Sequence, residues 1–253
     1  MYTADGLILS CGRTGTTYIN SLLNQKIENC VVLQEPPPSR SLFMMTNAAE
    51  RKIPLGSIAF SAYKKTRNDW YKKAGDKTLL EINPFLIGLS PFLKPENIKH
   101  GIVHIVRRPA DWIESTLNFG GYKWLSYITP RMPFAHERPS DKKFFEWNRL
   151  TVYEKFAWRW RHRNSQIEKV KKSGIPYLLV KYEDIFKEGE FNRDIFIEMI
   201  NHLGLKNFKP DDFEYPQKKI NSSASNPELK KHKVIETKEM IEIYGSLAKK
   251  YGY

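Results

Sequence analysis

The sequence predicts a single α/β domain over residues 1–253, built on a central, mostly parallel β-sheet that helices flank. Three observations support this fold class. Short, continuously apolar runs recur along the chain, longer amphipathic segments separate them, and two of the runs lead into a helix through a turn that carries arginine. Such alternation is typical of strands joined by helical crossovers in a parallel sheet.

Five apolar runs have the length of strands and show no polar alternation, which is typical of strands covered on both faces. They are Gly6–Ser10, Cys30–Leu33, Thr78–Ile82, Gly101–Val106 and Tyr177–Val180. Helical character is predicted for the segments between and after them, namely Thr16–Gln25, Ala110–Phe119, Phe144–Lys172, Phe191–Leu203 and Lys238–Lys249.

Two segments do not fit this alternation. Residues 36–76 have a less regular pattern, and Tyr122–Lys143 is a long stretch rich in proline, arginine and aromatic residues. Loops of that length in a compact domain are often lids or substrate walls. We therefore expect both segments to border a binding site.

The composition narrows the class of protein. Hydrophobic residues make up 41% of the chain and charged residues 27%, which excludes wholesale disorder, a collagen-like repeat and a multi-span membrane protein. The formal net charge of +13 favours an anionic partner, such as nucleic acid, a membrane surface or a phosphorylated ligand. Two cysteines, Cys11 and Cys30, cannot form a disulfide framework, and no signal peptide is visible, so we expect a cytoplasmic protein.

The first candidate site lies where the first apolar run ends. The segment Leu7–Tyr18 passes through a turn with two glycines, three threonines and Arg13, and then directly into a helix. Such a turn presents backbone N–H groups, hydroxyls and the positive end of a helix to one anion. It is not a Walker A loop, because the Gly-x-x-x-x-Gly-Lys-Ser/Thr pattern is absent. An ordinary strand–turn–helix with threonine caps is the alternative.

A second candidate site follows a later strand, in the segment Val103–Ser115. Pro109 suits the first turn of a helix, and Asp111 suits its positive end. Arg107 and Ser115 lie eight residues apart, one at the strand end and one about two helical turns on, so both can face a common anion. The alternative is a surface salt bridge for Arg107 and a packing role for Ser115.

Together, these two segments resemble the nucleotide motifs of sulfotransferases that use 3′-phosphoadenosine 5′-phosphosulfate (PAPS). Arg13–Thr17 is similar to the loop that holds the 5′-phosphosulfate, and Arg107–Ser115 is similar to the 3′-phosphate motif, although Arg108 stands where Asn or Asp is usual. Weaker similarity in Leu178–Asp184 and in the terminal Tyr-Gly-Tyr extends the resemblance over essentially the whole chain.

The resemblance implies a P-loop-like nucleotide site, PAPS as co-substrate and no metal. Its implied nucleotide ligands are Arg13, Thr14, Gly15, Thr16, Thr17, Tyr18, Arg107, Ser115, Tyr182 and Ser222. Within this set the resemblance places Tyr18 and Tyr182 at the adenine and Ser222 in a region that closes over the nucleotide. It also implies that Arg13 stabilises the charge of the transferring sulfuryl group. The acceptor would be a small molecule or a carbohydrate.

A base is also needed to take the proton of the acceptor. Glu35 follows the second strand run, and a carboxylate at the carboxyl end of a parallel strand faces the ligand crevice of such folds. Its Glu-Pro sequence resembles that of bacterial carbohydrate-type sulfotransferases, whose glutamate is the base. Glu81, at the end of the third run, is the rival, unless it only balances Lys77. His136 is a weaker candidate that we expect to be a solvated loop residue.

Two other functions fit parts of the sequence. The segment Phe156–Asn164 interleaves aromatic residues and arginines, as a nucleic-acid surface does, but Val152, Phe156, Trp160 and Ile167 recur at helical spacing and predict a core-facing helix. A P-loop kinase would share the strand–loop–helix site. The missing Walker lysine and the lack of a clear magnesium-binding Asp at a strand end disfavour it.

Overall fold

The structure is a computed structural model that describes residues 2–27, 29–49, 55–119, 136–139, 144–187, 190–206, 208–209, 211, 213–215 and 232–253. Ser222, and with it the predicted nucleotide-covering region, lies outside the described residues, as does most of the Tyr122–Lys143 segment.

A five-stranded parallel sheet forms the centre of the described chain and confirms the predicted fold class. Its strands are β1 (Ala4–Ser10), β2 (Cys30–Gln34), β3 (Thr78–Ile82), β4 (Ile98–Val106) and β5 (Tyr177–Lys181), in the spatial order β2-β3-β1-β4-β5. Each of the five apolar runs predicted from the sequence is one of these strands. Because β1 is central, its carboxyl end lies between the ends of β3 and β4.

Helices precede and follow the strands along the described chain. The α-helices are α1 (Thr16–Lys26), α2 (Ser39–Ala49), α3 (Gly56–Ala74), α4 (Pro109–Leu117), α5 (Phe144–Arg149), α6 (Val152–Glu168), α7 (Tyr182–Ile185), α8 (Arg193–His202) and α9 (Lys238–Lys250). Two 3₁₀ segments cover Pro84–Phe92 and Lys169–Ser173, and a short antiparallel pair joins Phe186–Lys187 to Glu190–Phe191. No helix among these described residues is long and apolar enough to cross a membrane.

Residues 36–76 are more regular than the sequence pattern indicates, because α2 and α3 form most of that segment. The helix α3 buries Ala59, Tyr63 and Arg67, which recur every four residues and share one face. Arginine is almost never fully buried unless paired, so the sequence alone hides the periodicity of this face. Only the tertiary contacts of Arg67, described below, make its burial favourable.

The predicted helix Phe144–Lys172 is interrupted. A capping box begins α6, since the Thr151 side chain accepts a hydrogen bond from Glu154 N at 3.3 Å and the Glu154 carboxylate accepts one from Thr151 N at 2.6 Å. Phe156, Trp160 and Ile167 face the core as predicted, whereas Val152 is 44% exposed because it occupies the first turn of the helix.

The sheet is buried on both faces, as the continuous apolar runs predict. Ile8 packs on one side with apolar residues of α1 and α8, while Leu7 and Leu9 pack on the other side with residues of α3 and of the 3₁₀ segments. A third cluster joins α4, α6 and α9 through Trp112 and Trp160 near the carboxyl edge of the sheet. The helices behind this edge are therefore rigidly packed.

One buried polar network crosses the sheet at His104 of β4. Its Nε2 donates to Asn164 Oδ1 at 2.9 Å, because the amide of Asn164 donates in turn to Trp160 O at 2.8 Å and so directs Oδ1 toward the ring. The other ring nitrogen then accepts from the Tyr177 hydroxyl. Burial lowers the pKa of His104 to about 4, so the imidazole is neutral near pH 7.

We expect the fold to lose stability as the pH falls from about 6.5 to about 4. In the unfolded chain His104 takes up a proton near its ordinary pKa of 6.5, whereas in the folded state its pKa is about 4. The neutral imidazole therefore contributes up to about 3 kcal/mol to the free energy of unfolding. This contribution is complete above pH 6.5 and is lost as the pH falls through the window. Urea unfolding across the window should show a shallower pH dependence for His104→Gln. Equal slopes would contradict the assignment.

Candidate functional site

The loop between β1 and α1 has an unusual backbone conformation. Gly12, Arg13 and Gly15 have φ values of 78°, 54° and 75°, in the left-handed region. Only glycine fits at position 15, since a Cβ there would also lie 2.7 Å from a ring carbon of Phe186. Arg13 is not a glycine and adopts this conformation at a cost of about 1 kcal/mol, so its surroundings must enforce it.

Three side chains enforce it, of which Trp112 is buried and Arg107 and Arg163 are half-buried. Each of three consecutive loop carbonyls accepts a hydrogen bond from a side chain outside the loop. The pairs are Arg163 Nη1 to Cys11 O at 3.0 Å, Trp112 Nε1 to Gly12 O at 2.8 Å, and Arg107 Nη1 to Arg13 O at 2.9 Å. Because the N–H and C=O of a peptide point in opposite directions, holding the Gly12 and Arg13 carbonyls turns the Arg13 and Thr14 amides away from these side chains, whereas the Gly12 amide donates to Ser10 Oγ at 3.1 Å.

The start of α1 adds further hydrogen-bond donors. This helix begins at Thr16, and its first N–H groups have no intrahelical acceptor. No side chain caps them, and the first turn carries no acidic residue. The N-cap residue is Gly15, so the alternative in which a threonine side chain caps the helix is wrong at this position. The positive end of the helix therefore remains available to an anion.

Three buried polar atoms of this region lack a hydrogen-bond partner: Arg13 Nε, Thr14 Oγ1 and Arg107 Nε. Leaving such a group unsatisfied costs about 1–3 kcal/mol, so three together indicate a ligand that supplies acceptors. Burial, together with the like charge of Arg107, lowers the pKa of Arg13. An anion between the two guanidinium groups would relieve both effects. The site therefore fits a phosphorylated group.

The second predicted site lies beside the first, because β4 is the neighbour of β1. Arg107 and Ser115 line one pocket of about 140 Å³, so the structure brings this pair together as predicted. Asp111, Glu114 and Asn118 complete the lining, and the sequence reasoning did not identify the last two. This pocket and the loop share Arg107.

Arg108, the departure from the family motif, does not line this pocket. Its backbone N–H donates to Glu183 Oε1 at 2.9 Å, and its half-exposed side chain lies 3.9 Å from the Asp111 carboxylate. Glu183 also accepts from the Tyr253 hydroxyl at 2.7 Å, so the terminal residue helps to position this turn.

The predicted aromatic residues occupy different environments. Tyr182 is half-buried, and the Arg107 guanidinium carbon lies 4.3 Å from its ring centroid. Tyr18 is only 6% exposed, and its ring packs 5.3 Å from Phe186 and 5.0 Å from Phe191. Tyr182 thus borders the second site directly, whereas Tyr18 is part of the core. A contact between Tyr18 and a base stays a prediction.

Glu35 follows the carboxyl end of β2, on the other side of β1 from Arg107. Its φ is 46°, its N–H donates to Ile82 O at 3.0 Å, and its side chain is half-buried. Burial raises the pKa of Glu35, and the positive charge of Arg40 partly opposes this shift. The adjacent Gln34 side chain lies 3.4 Å from the Thr17 hydroxyl, which brings the end of β2 to the first turn of α1.

Glu81 is fully buried and belongs to an ion pair with Arg67, not with Lys77 as the sequence suggested. Two parallel hydrogen bonds of 2.9 Å join the guanidinium to the carboxylate, and Asn83 donates a third at 2.7 Å. The same guanidinium donates to Pro37 O at 3.0 Å. Glu81 is thus engaged in holding the turn that follows Glu35.

His136 is half-buried rather than solvated, which corrects the expectation from the sequence. Burial, followed by the positive charge of Arg159, lowers its pKa to about 3. The residues that position the loop, Trp112 and Arg163, were not singled out in the sequence. Only their spatial placement indicates this role, since Arg163 lies 152 positions from Cys11.

No protein-family model matches this sequence, and no curated protein sequence matches it significantly. Solved structures do. The sulfotransferase domain from the curacin biosynthetic pathway superposes with a TM-score of 0.54 at 14% identity, over 97% of each chain. The sulfotransferase of Alicyclobacillus acidocaldarius gives 0.48 at 11% identity over 98% of this chain and 92% of that one. Mouse sulfotransferase SULT7A1 complexed with PAP gives 0.43 at 12% identity over 84% and 62%.

The chain therefore has the α/β fold of a sulfotransferase domain, as its motifs predict.

We expect Glu81→Gln to destabilise the fold by about 3–5 kcal/mol, because it leaves the buried Arg67 guanidinium without a counter-ion. Glu35→Gln makes the same chemical change on a half-buried carboxylate and should alter the free energy of unfolding by less than about 1 kcal/mol. Denaturant unfolding of both variants beside the wild type measures the difference. A Glu81→Gln protein as stable as the wild type would show that the ion pair is not structural.

Proposed function

We propose that the protein is a PAPS-dependent sulfotransferase, which moves the sulfuryl group of PAPS to a hydroxyl or amine of a small-molecule or carbohydrate acceptor. The observation that supports the proposal is the pair of adjacent arginine-bearing turns at the ends of β1 and β4, where Arg13, Thr14 and Arg107 each keep a buried polar atom without a hydrogen-bond partner. Two anion sites on neighbouring strands suit a nucleotide with a phosphate group at each end of its ribose.

In this proposal the β1–α1 loop binds the 5′-phosphosulfate. The Thr14 hydroxyl and the Arg13 guanidinium carry buried polar atoms without a hydrogen-bond partner, and these would bind its oxygens. Thr16 and Thr17 stand at the uncapped start of α1. Arg107 and Ser115 would bind the 3′-phosphate, and Tyr182 would contact the base beside them. Ser222, which lies outside the described residues, would cover the nucleotide.

The transfer itself needs charge stabilisation on one side and proton removal on the other. The acceptor oxygen or nitrogen attacks sulfur, the bond from sulfur to the bridging phosphate oxygen breaks, and adenosine 3′,5′-bisphosphate (PAP) leaves with that electron pair. Arg13 stabilises the charge on the sulfuryl and bridging oxygens, and Glu35 takes the acceptor proton. Its raised pKa suits this role, because a carboxylate with a higher proton affinity is a better base.

The surface of α6 gives little support to nucleic-acid binding. Trp160 is buried, and the ring of Trp158 stacks on His162 with centroids 4.5 Å apart and 9° between the planes. These aromatic rings pack against other residues of the protein, whereas a surface that binds single strands would present such rings to the bases. A kinase-like activity is tested by comparing the binding of PAP with that of ATP and magnesium.

We expect Arg107→Ala to weaken PAP binding about ten- to a hundredfold, because it removes a charge-assisted contact to phosphate. Ser115→Ala should weaken it less. Arg193→Ala is the matched control and should leave PAP affinity nearly unchanged, since its guanidinium pairs with the exposed Asp211 at 3.3 Å and is not among the residues that line the pocket of Arg107. Isothermal titration of PAP measures all three. The cofactor assignment fails if the wild type does not bind PAP or if Arg107→Ala binds it as tightly.

We expect Glu35→Gln to lower turnover by about 10²–10⁴ while PAP affinity stays nearly unchanged. In the wild type, turnover should rise with pH as Glu35 loses its proton, with the midpoint above the ordinary carboxyl pKa of 4.5, since burial raises it. This acid limb should be absent from the residual activity of the variant. Rates with labelled PAPS and a panel of acceptors provide the measurement. A Glu35→Gln enzyme with near-normal rates would exclude this base.

A further inference from the structure

Arg163, which binds the loop carbonyl of Cys11, is itself held by a carboxylate, that of Glu137. Arg163 lies on α6, and all three nitrogens of its guanidinium group donate hydrogen bonds. Nε and Nη2 donate to the two carboxylate oxygens of Glu137 at 2.6 and 3.0 Å, and Nη1 donates to Cys11 O at 3.0 Å. Glu137 is only 2% exposed. We infer that Glu137 is a positioning residue of the nucleotide loop, acting through Arg163.

The geometry explains why Glu137 is needed. A guanidinium group can rotate about its side-chain bonds, but a bidentate carboxylate bound to Nε and Nη2 fixes its plane and therefore the direction of Nη1. Nη1 in turn holds the first of the three loop carbonyls. Arg163 also lies over the ring of Trp112, at 5.9 Å from the centroid, and Trp112 holds the next carbonyl, that of Gly12.

The charge balance favours the same role. Arg163 and Arg159 hold the pKa of Glu137 at about 2, although its burial acts in the opposite direction. The carboxylate is therefore ionised throughout the neutral range, and the pair does not titrate with the reaction. Glu137 thus offsets the positive charge of Arg163, whose guanidinium group contacts the loop at Cys11 O.

Glu137 belongs to the described segment 136–139 of the Tyr122–Lys143 stretch, which the sequence predicts as a wall of the acceptor site. In the inferred role this described segment provides the counter-ion of Arg163 and thereby positions the nucleotide loop. The expected effect on PAP binding and on the kinetics with PAPS rests on the proposed function. The expected effect on the loop backbone does not.

Three variants of the full chain test the inference. Glu137→Gln keeps the shape but removes the charge that orients Arg163. Arg163→Lys keeps the positive charge. It lacks the planar guanidinium that donates two parallel hydrogen bonds to Glu137 and a third to Cys11 O. Glu168→Gln is the matched control, because it breaks another partly buried ion pair, at 2.7 Å from Lys250, that has no hydrogen bond to the loop.

We expect Glu137→Gln and Arg163→Lys to increase amide hydrogen exchange in a peptide over residues 8–18 of the ligand-free protein. Both should weaken PAP binding about tenfold and raise KM for PAPS more than they lower kcat. The acid limb of the pH profile, assigned to Glu35, should not move. Glu168→Gln should change none of these. If Glu137→Gln does not fold, Arg163→Lys decides the outcome alone.

The inference is overturned if both variants keep wild-type exchange in this peptide, or if Glu168→Gln changes exchange and PAP affinity as much as they do. A wild-type protein that binds no PAP refutes the proposed function instead. The exchange comparison still decides the role of Glu137 in that case, since it needs no nucleotide.

Discussion

The buried ion pair of Arg67 and Glu81 is the constraint on which the acidic side of the candidate site depends. Both side chains are fully buried, so each needs the other to compensate for its desolvation. The same guanidinium reaches the carbonyls of Pro36 and Pro37 and the hydroxyl of Ser39. Helix α3, strand β3 and the turn after β2 are thus held in one arrangement. The backbone that carries the proposed base, at the end of β2, is part of it.

The positive side of the site is organised in a related way, by side chains that bind backbone carbonyls from behind. Arg163, Trp112 and Arg107 come from α6, α4 and the end of β4, and each holds one loop carbonyl. The left-handed conformation of Arg13 is unfavourable by itself. It persists because these contacts and the packed helices behind them allow no other arrangement. The loop backbone is therefore held in this conformation by contacts within the protein itself.

The charges are distributed across the carboxyl edge of the sheet in a way that suits group transfer. Arg13 and Arg107 lie close enough for each to oppose the other's charge, and both retain unpaired buried donors. On the opposite side of β1, Glu35 is half-buried, and its pKa is raised. A ligand with two anionic groups would neutralise the first side, and a neutral nucleophile could lose its proton on the second. The order of the strands, with β1 central, brings the two sides together.

The strands, the fold class and the two arginine-bearing strand-to-helix turns could be predicted from the sequence alone, because each depends on residues close together in the chain. Continuous apolar runs can be buried only between two layers, and an arginine at a strand-to-helix turn lies where anions bind. The role of Glu81, the helical path of residues 36–76 and the contact of Arg163 with Cys11 were decided by the tertiary structure. Each depends on a charged side chain whose partner is distant in sequence, 152 positions for Arg163. A local pattern carries no information about such a partner, since burial of a charge becomes favourable only when packing supplies the opposite charge or acceptor.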